Sequence, residues 1–76
     1  MLDAIVVGMV LQRFREQKKR SQEVVSGLAG IGRTHLSAIE RGERKPTMDT
    51  LFKIADALDI KPSIIVAAIE DEMEKK

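Results

Sequence analysis

No cysteine occurs among the 76 residues, and neither does tryptophan or tyrosine. Without cysteine there is no disulfide framework and no thiolate metal site. A reducing cytoplasm is compatible with that composition and is the expected location. Only two rings remain, Phe14 and Phe52, and both are expected in the core. Proteins that read single-stranded RNA stack its bases on exposed aromatic side chains, so RNA is a poor fit. Long apolar runs are missing as well. The stretch from Ala4 to Leu11 is far short of the roughly 20 residues that cross a membrane, and Met1-Leu2-Asp3 has no basic flank of a signal peptide. Strand alternation, internal repeats and low-complexity tracts are also lacking. His35 is the lone histidine, with no accompanying soft ligand for a metal and no nucleophile or orienting partner for acid–base work. Neither an enzyme nor a cofactor or metal is expected.

What is present suits one small helical domain spanning residues 1–76. A chain this short buries only about 60% of its unfolded surface, so a dimer that adds buried area would relieve it. Net charge is +1, but its distribution is uneven. Residues 1–46 hold nine cationic and five anionic side chains, or +4, and residues 47–76 hold four and seven, or −3. One end can therefore face a polyanion while the other faces solvent or a partner.

Five helices can be read. The first runs from an Asp3 cap to about Lys19, with Val7, Val10, Leu11 and Phe14 on one face. Gly8 should weaken it by about 1 kcal/mol relative to alanine. The second starts at Ser21, presents Val24, Val25 and Leu28, and stops at Gly30. The third runs from about Gly32 to Arg41 and is stopped by Gly42. Thr47 caps the fourth, whose inner face is Met48, Leu51, Ile54, Ala55 and Leu58. Pro62 opens the fifth at the tolerated first position. Its polar tail, Glu70 to Lys76, is expected to fray. Met9 and Met48 read as core filler.

The third helix has two unlike sides. Arg33, Ser37, Arg41, Thr34 and Ala38 share an arc of about 140° at 100° per residue, and Leu36 and Ile39 lie opposite. Small side chains let a helix seat closely in a groove. Arginine supplies the fork that fits the O6 and N7 acceptors of guanine. A short helix, a glycine turn and a second helix with such a face make a helix-turn-helix unit, here about residues 21–42. Ser26 and Ala29 are small enough for the two helices to approach closely.

The segments Ser21-Gln22-Glu23, Ala29-Gly30-Ile31, Arg33-Thr34-His35-Leu36-Ser37 and Ile39-Glu40-Arg41-Gly42-Glu43-Arg44-Lys45-Pro46-Thr47 resemble the Cro/phage-repressor (XRE-type) helix-turn-helix family. Leu51-Phe52-Lys53-Ile54-Ala55-Asp56-Ala57-Leu58 continues the likeness, which covers about residues 7–66. Within the family, Arg-Thr-His-Leu-Ser-x-Ile-Glu-Arg-Gly is similar to the controller proteins of restriction–modification systems. The resemblance implies an all-α five-helix bundle with the third helix in the major groove of double-stranded DNA. It implies base contacts by Arg33 and Thr34, with Ser37 and Ala38 lining the same surface. It implies phosphate contacts at Ser21, Gln22, Arg41, Arg44, Lys45 and Thr47, and an internal pair between Arg15 and Glu40. His35, on the border of the face, is assigned to phosphate or packing.

Two positions depart from the family pattern. Arg20 stands where an apolar residue is usual, and Gly32 replaces a frequent capping Ser or Thr. The expected protein is a transcriptional regulator binding a pseudo-palindromic operator as a homodimer. Its dimer surface is expected on the fifth helix, about residues 61–72, with Ile60, Ile64, Ile65, Ala68 and Ile69, aided by the apolar start of the first helix. The alternative is an antitoxin or other protein-interaction module that binds DNA only secondarily.

Overall fold

The computed structural model describes residues 1–75. Within them the chain forms five α-helices and no strand: α1 (Ala4–Gln17), α2 (Gln22–Ala29), α3 (Arg33–Glu40), α4 (Met48–Ala57) and α5 (Pro62–Glu74). No helix among the described residues is long and apolar enough to cross a membrane.

Local chemistry sets the boundaries. Asp3 Oδ1 accepts from the Ile5 amide at 2.9 Å and starts α1. Ser21 Oγ accepts from Val24 N at 3.1 Å and starts α2. Thr47 Oγ1 accepts from Thr50 N at 3.1 Å and starts α4. Each satisfies an amide that a helix N-terminus leaves without a partner. Gly32 supplies no side-chain cap to α3, and Pro62 takes the first turn of α5. The stops are Gly30 and Gly42, at φ 70° and 78°. After Gly42 the Glu43 amide bonds back to Ala38 O at 2.9 Å and the Gly42 amide to Ile39 O at 3.0 Å. That double closure turns the chain sharply off the end of α3.

One core joins the helices. Val6, Val7, Val10 and Leu11 of α1 meet Val25, Leu36, Ile39, Ile54, Leu58 and Ile65. α2 packs on α3 and α4, and α1 packs on α3 and α5. Ser26 and Ala29 are both buried, as close approach of α2 requires. The buried Ser26 hydroxyl is satisfied by donating to Glu23 O at 3.2 Å.

Glycine at position 8 has a stronger reason than helix propensity suggests. A Cβ built there would lie 2.3 Å from Ile39 O and 2.6 Å from Glu40 O. α1 thus rests directly on the backbone at the end of α3, with no side chain between.

Several expectations change. Ile65 and Ile69 are buried in the chain's own core, so they are not a free outer surface of α5. An i, i+4 stripe shows that a face is buried but not whether the covering surface is the same chain; here α5 closes the monomer over α1. Outside that stripe Ile64 and Val66 are exposed, while Ile60 and Ala68 are half-buried. Phe52 is 53% exposed, because it follows Leu51 by one residue and so lies about 100° off the inner face of α4. Met48, at the first position of α4, is exposed, and so are Met9, Val24 and Leu28. Phe14 only lines the edge of the core.

The polar tail does not fray before Glu74. Arg13 Nη1 donates to Glu72 Oε1 at 3.1 Å, and Lys75 Nζ to the same oxygen at 3.2 Å. The Arg13 bond ties the end of α5 to α1, the Lys75 bond closes its last turn, and first Arg13, then Lys75, holds the Glu72 carboxyl below the ordinary carboxylate range. The end of the expected tail, Lys76, lies outside the described residues.

Candidate nucleic-acid interface

α3 presents its two sides as its sequence dictates. Leu36, Ile39 and Glu40 are buried, whereas Arg33 and Thr34 are exposed and Ser37, Ala38 and His35 are half-buried. Arg33, Thr34, Ser37 and Arg41 line one shallow concavity. A second, lined by Arg15, Ser21, Gln22, Glu23 and Arg33, joins the start of α2 to the start of α3. The residues expected to read bases and those expected at the start of α2 therefore share one face.

The orientation of that face is fixed from below. Arg15 Nε donates to Glu40 Oε2 at 2.7 Å and its Nη2 to Glu40 Oε1 at 3.0 Å. This is a two-pronged pair, in which both partners are largely withdrawn from solvent. Glu40's hydrogen bond raises the Arg15 pKa above its ordinary value, against the opposing effect of burial. A third prong, Arg15 Nη1, donates to Arg20 O at 2.8 Å.

Gln22 completes the network, its Nε2 donating to Glu40 Oε1 at 2.9 Å. One carboxylate thus ties α1 and the first residue of α2 to the last residue of α3. The expected Arg15–Glu40 pair is present, and Gln22 joins it. Gln22 also lines the concavity at the start of α2.

The rim after α3 is basic and held in place. Arg44 and Lys45 are exposed, and Lys45 Nζ donates to Leu2 O at 3.3 Å, bringing the chain's start beside this loop. Gly42 permits that approach, because a Cβ there would meet Ile5 Cα at 2.8 Å. Thr47 lies on the same rim, but its hydroxyl is engaged at the α4 cap and also donates to Thr50 Oγ1 at 3.0 Å. The Ser21 hydroxyl is likewise engaged as a cap.

Two features escaped the sequence reading. Arg20 turns away from the α3 face: it donates through Nη1 to Ala57 O and through Nη2 to Asp59 Oδ2 at 3.0 Å. A cation thereby caps the carbonyl end of α4, where the helix dipole favours it. The apolar residue usual at that position could not do this. Glu43 is the second. Its carboxylate takes two bonds from Arg41, Nε at 2.8 Å and Nη2 at 3.1 Å, while Arg41 Nη1 donates to Ser37 Oγ. Adjacent Glu and Arg residues in a loop gave no signal of this, because only the turn at Gly42 brings the two together.

Among the described residues, no three His, Cys, Asp or Glu side chains are grouped as a metal site.

Comparison with known proteins agrees with this geometry. The helix-turn-helix family matches residues 11–65. The HTH-type transcriptional regulator y4dJ of Sinorhizobium fredii is 35% identical over 66 residues, covering 87% of this chain and 86% of its own. The immunity repressor protein of Bacillus phage phi105 is 34% identical over 62 residues, covering 82% of this chain but 43% of the repressor. Among solved structures, the restriction-modification controller protein C.AhdI from Aeromonas hydrophila superposes with a TM-score of 0.81 at 34% identity, covering 86% of this chain and 98% of its own. The wild-type controller protein C.Esp1396I superposes with a TM-score of 0.89 at 25% identity, over 100% of this chain and 99% of its own. A tie of Arg15, Glu40 and Gln22 beneath the face that carries Arg33, Thr34 and Ser37, on a scaffold shared with these proteins, places the chain in the Cro/C1-type helix-turn-helix family of transcriptional regulators.

Proposed function

We propose that this regulator binds a pseudo-palindromic duplex operator as a homodimer, with α3 of each protomer in the major groove. The observation that carries the reading is the outer face of α3, where Arg33 and Thr34 stand exposed beside the small residues Ser37 and Ala38. Arg33 reads a guanine edge and Thr34 a thymine methyl or a base edge. Ser37 and Ala38 line the same contact. Ser21, Gln22, His35, Arg41, Arg44, Lys45 and Thr47 are the phosphate-side residues, Ser21 and Thr47 through the amides their caps organise.

A single α3 reads too few bases for adequate specificity. Two of them about 34 Å apart meet successive major grooves on one side of the duplex. The dimer surface is the flank of α5 that carries Ile64 and Ala68, together with Ile60. Ile65 and Ile69 support that flank from inside the core.

Salt titration tests DNA binding: affinity for duplex DNA should fall steeply as salt rises, since phosphate contacts release counterions. Affinity that ignores salt rejects the reading. Selection from a random duplex pool should return an inverted repeat, whereas an asymmetric site would reject the homodimer. On that selected site, Arg33→Ala should relax discrimination at one base pair by about 1–3 kcal/mol. Lys45→Ala should weaken all sequences alike. If Arg33→Ala leaves base choice intact, Arg33 is not the reading residue.

A further inference from the structure

Glu43 sits on the basic rim where the Proposed function places phosphates, and it is the one acidic side chain in the segment Arg41 to Thr47. Its position is not left to chance. Gly42 at φ 78° and the Glu43 amide bond to Ala38 O fold residue 43 back beside residue 41. The carboxylate then closes on the guanidinium through Nε and Nη2, and Ser37 takes Nη1. Three of the five Arg41 donors are thus engaged within the protein. Arg41 in turn holds the Glu43 carboxyl below its ordinary pKa range, chiefly by those hydrogen bonds, so the clamp stays charged. Both side chains remain about half exposed, at 53% and 58%, so an incoming phosphate can compete with the carboxylate for the guanidinium.

We infer that Glu43 is a built-in competitor for DNA phosphate: its carboxylate holds Arg41 in the free protein and must yield it when the rim docks on the duplex. This rests on the duplex-binding reading of the α3 face. The clamp costs affinity for every sequence, because a phosphate contact carries no base information. Glu43 therefore sets how long the protein dwells on DNA of any sequence, while Arg33 and Thr34 set where it prefers to dwell.

The test measures affinity for a random-sequence duplex across a salt series, using the full chain and its Glu43→Gln, Arg41→Gln and doubly substituted forms. Glu43→Gln should bind about three- to tenfold more tightly across the salt series. Its melting temperature should stay close to that of the parent, since exposed pairs contribute little to stability. Arg41→Gln alone should weaken binding and flatten the logarithmic salt slope by about 0.9, because a phosphate contact is lost, and in its background Glu43→Gln should bring no gain. Equal or weaker binding by Glu43→Gln overturns the inference. A gain that persists without Arg41 also overturns it, because the carboxylate would then act only as a repelling charge. If the parent itself shows no salt-sensitive duplex binding, the failure lies with the duplex-binding reading and not with the clamp.

Discussion

Glu40→Ala should lower the melting temperature by about 20–40 °C, the largest single effect of any substitution on the α3 side of the molecule. Removing one partner of a buried pair costs about 3–5 kcal/mol, and each kcal/mol is worth about 4–8 °C in a domain of this size. The geometry explains why the cost falls at the high end. With Glu40 gone, Arg15 loses the acceptor for Nε and Nη2, and Gln22 loses the acceptor for Nε2. Arg15 keeps only its bond to Arg20 O. An unpaired cation is then held in a site largely closed to water. A two-sided replacement separates this cause from simple loss of contacts. Arg15→Met combined with Glu40→Leu removes both charges at similar volume, and most of the stability should return. Arg33→Ala, on the exposed face, should stay within about 0.5 kcal/mol of the parent. Thermal denaturation of the four proteins decides the matter: equal melting points for Glu40→Ala and Arg33→Ala would mean that the tie beneath α3 contributes nothing.

Gly8→Ala should destabilise by about 2 kcal/mol, although alanine is the better helix former by about 1 kcal/mol. The methyl has nowhere to go. Its nearest neighbours would be the carbonyl oxygens of Ile39 and Glu40, both backbone, and backbone cannot swing aside as a side chain can. α1 and α3 must separate, and overpacking of this kind costs about 1–3 kcal/mol, occasionally more. Gly27→Ala is the matched control. Gly27 lies within α2 with nothing within 4 Å of its would-be Cβ, so there the same change should stabilise by up to about 1 kcal/mol. Opposite signs in the two melting curves are expected. A stabilised Gly8→Ala protein would show that the close approach of the helices is not a constraint.

The frame was legible in the sequence because it is written in local chemistry. Asp3, Ser21, Thr47 and Pro62 start helices, and Gly30 and Gly42 stop them, for reasons confined to a few residues. The two-sided character of α3 was legible in the same way. What stayed hidden depends on which helix lies across the way. Gly8 read as a weak point in a helix, whereas its partner, the end of α3, lies some thirty residues further on. Ile65 and Ile69 read as a dimer seam, because periodicity does not say whose surface covers a stripe. Met48 and Phe52 read as core because they are apolar, yet α4 turns them outward. Arg20 and Glu43 took their partners from across a turn or from another helix, which spacing alone does not reveal.

The bare contact between α1 and the end of α3 has one more consequence, for the way the molecule opens. Side chains at a helix interface can exchange rotamers and let two helices drift apart by degrees; two backbones in contact have no such slack. α1 and the C-terminal turn of α3, joined at Gly8 and riveted again by Arg15 and Glu40, therefore open as one cooperative unit. In deuterated water the amides of Val10 and Leu11 should exchange in the same event as those of Glu40 and Arg41, so the helix carrying Arg33 and Thr34 should not be released while the rest of the bundle stays closed.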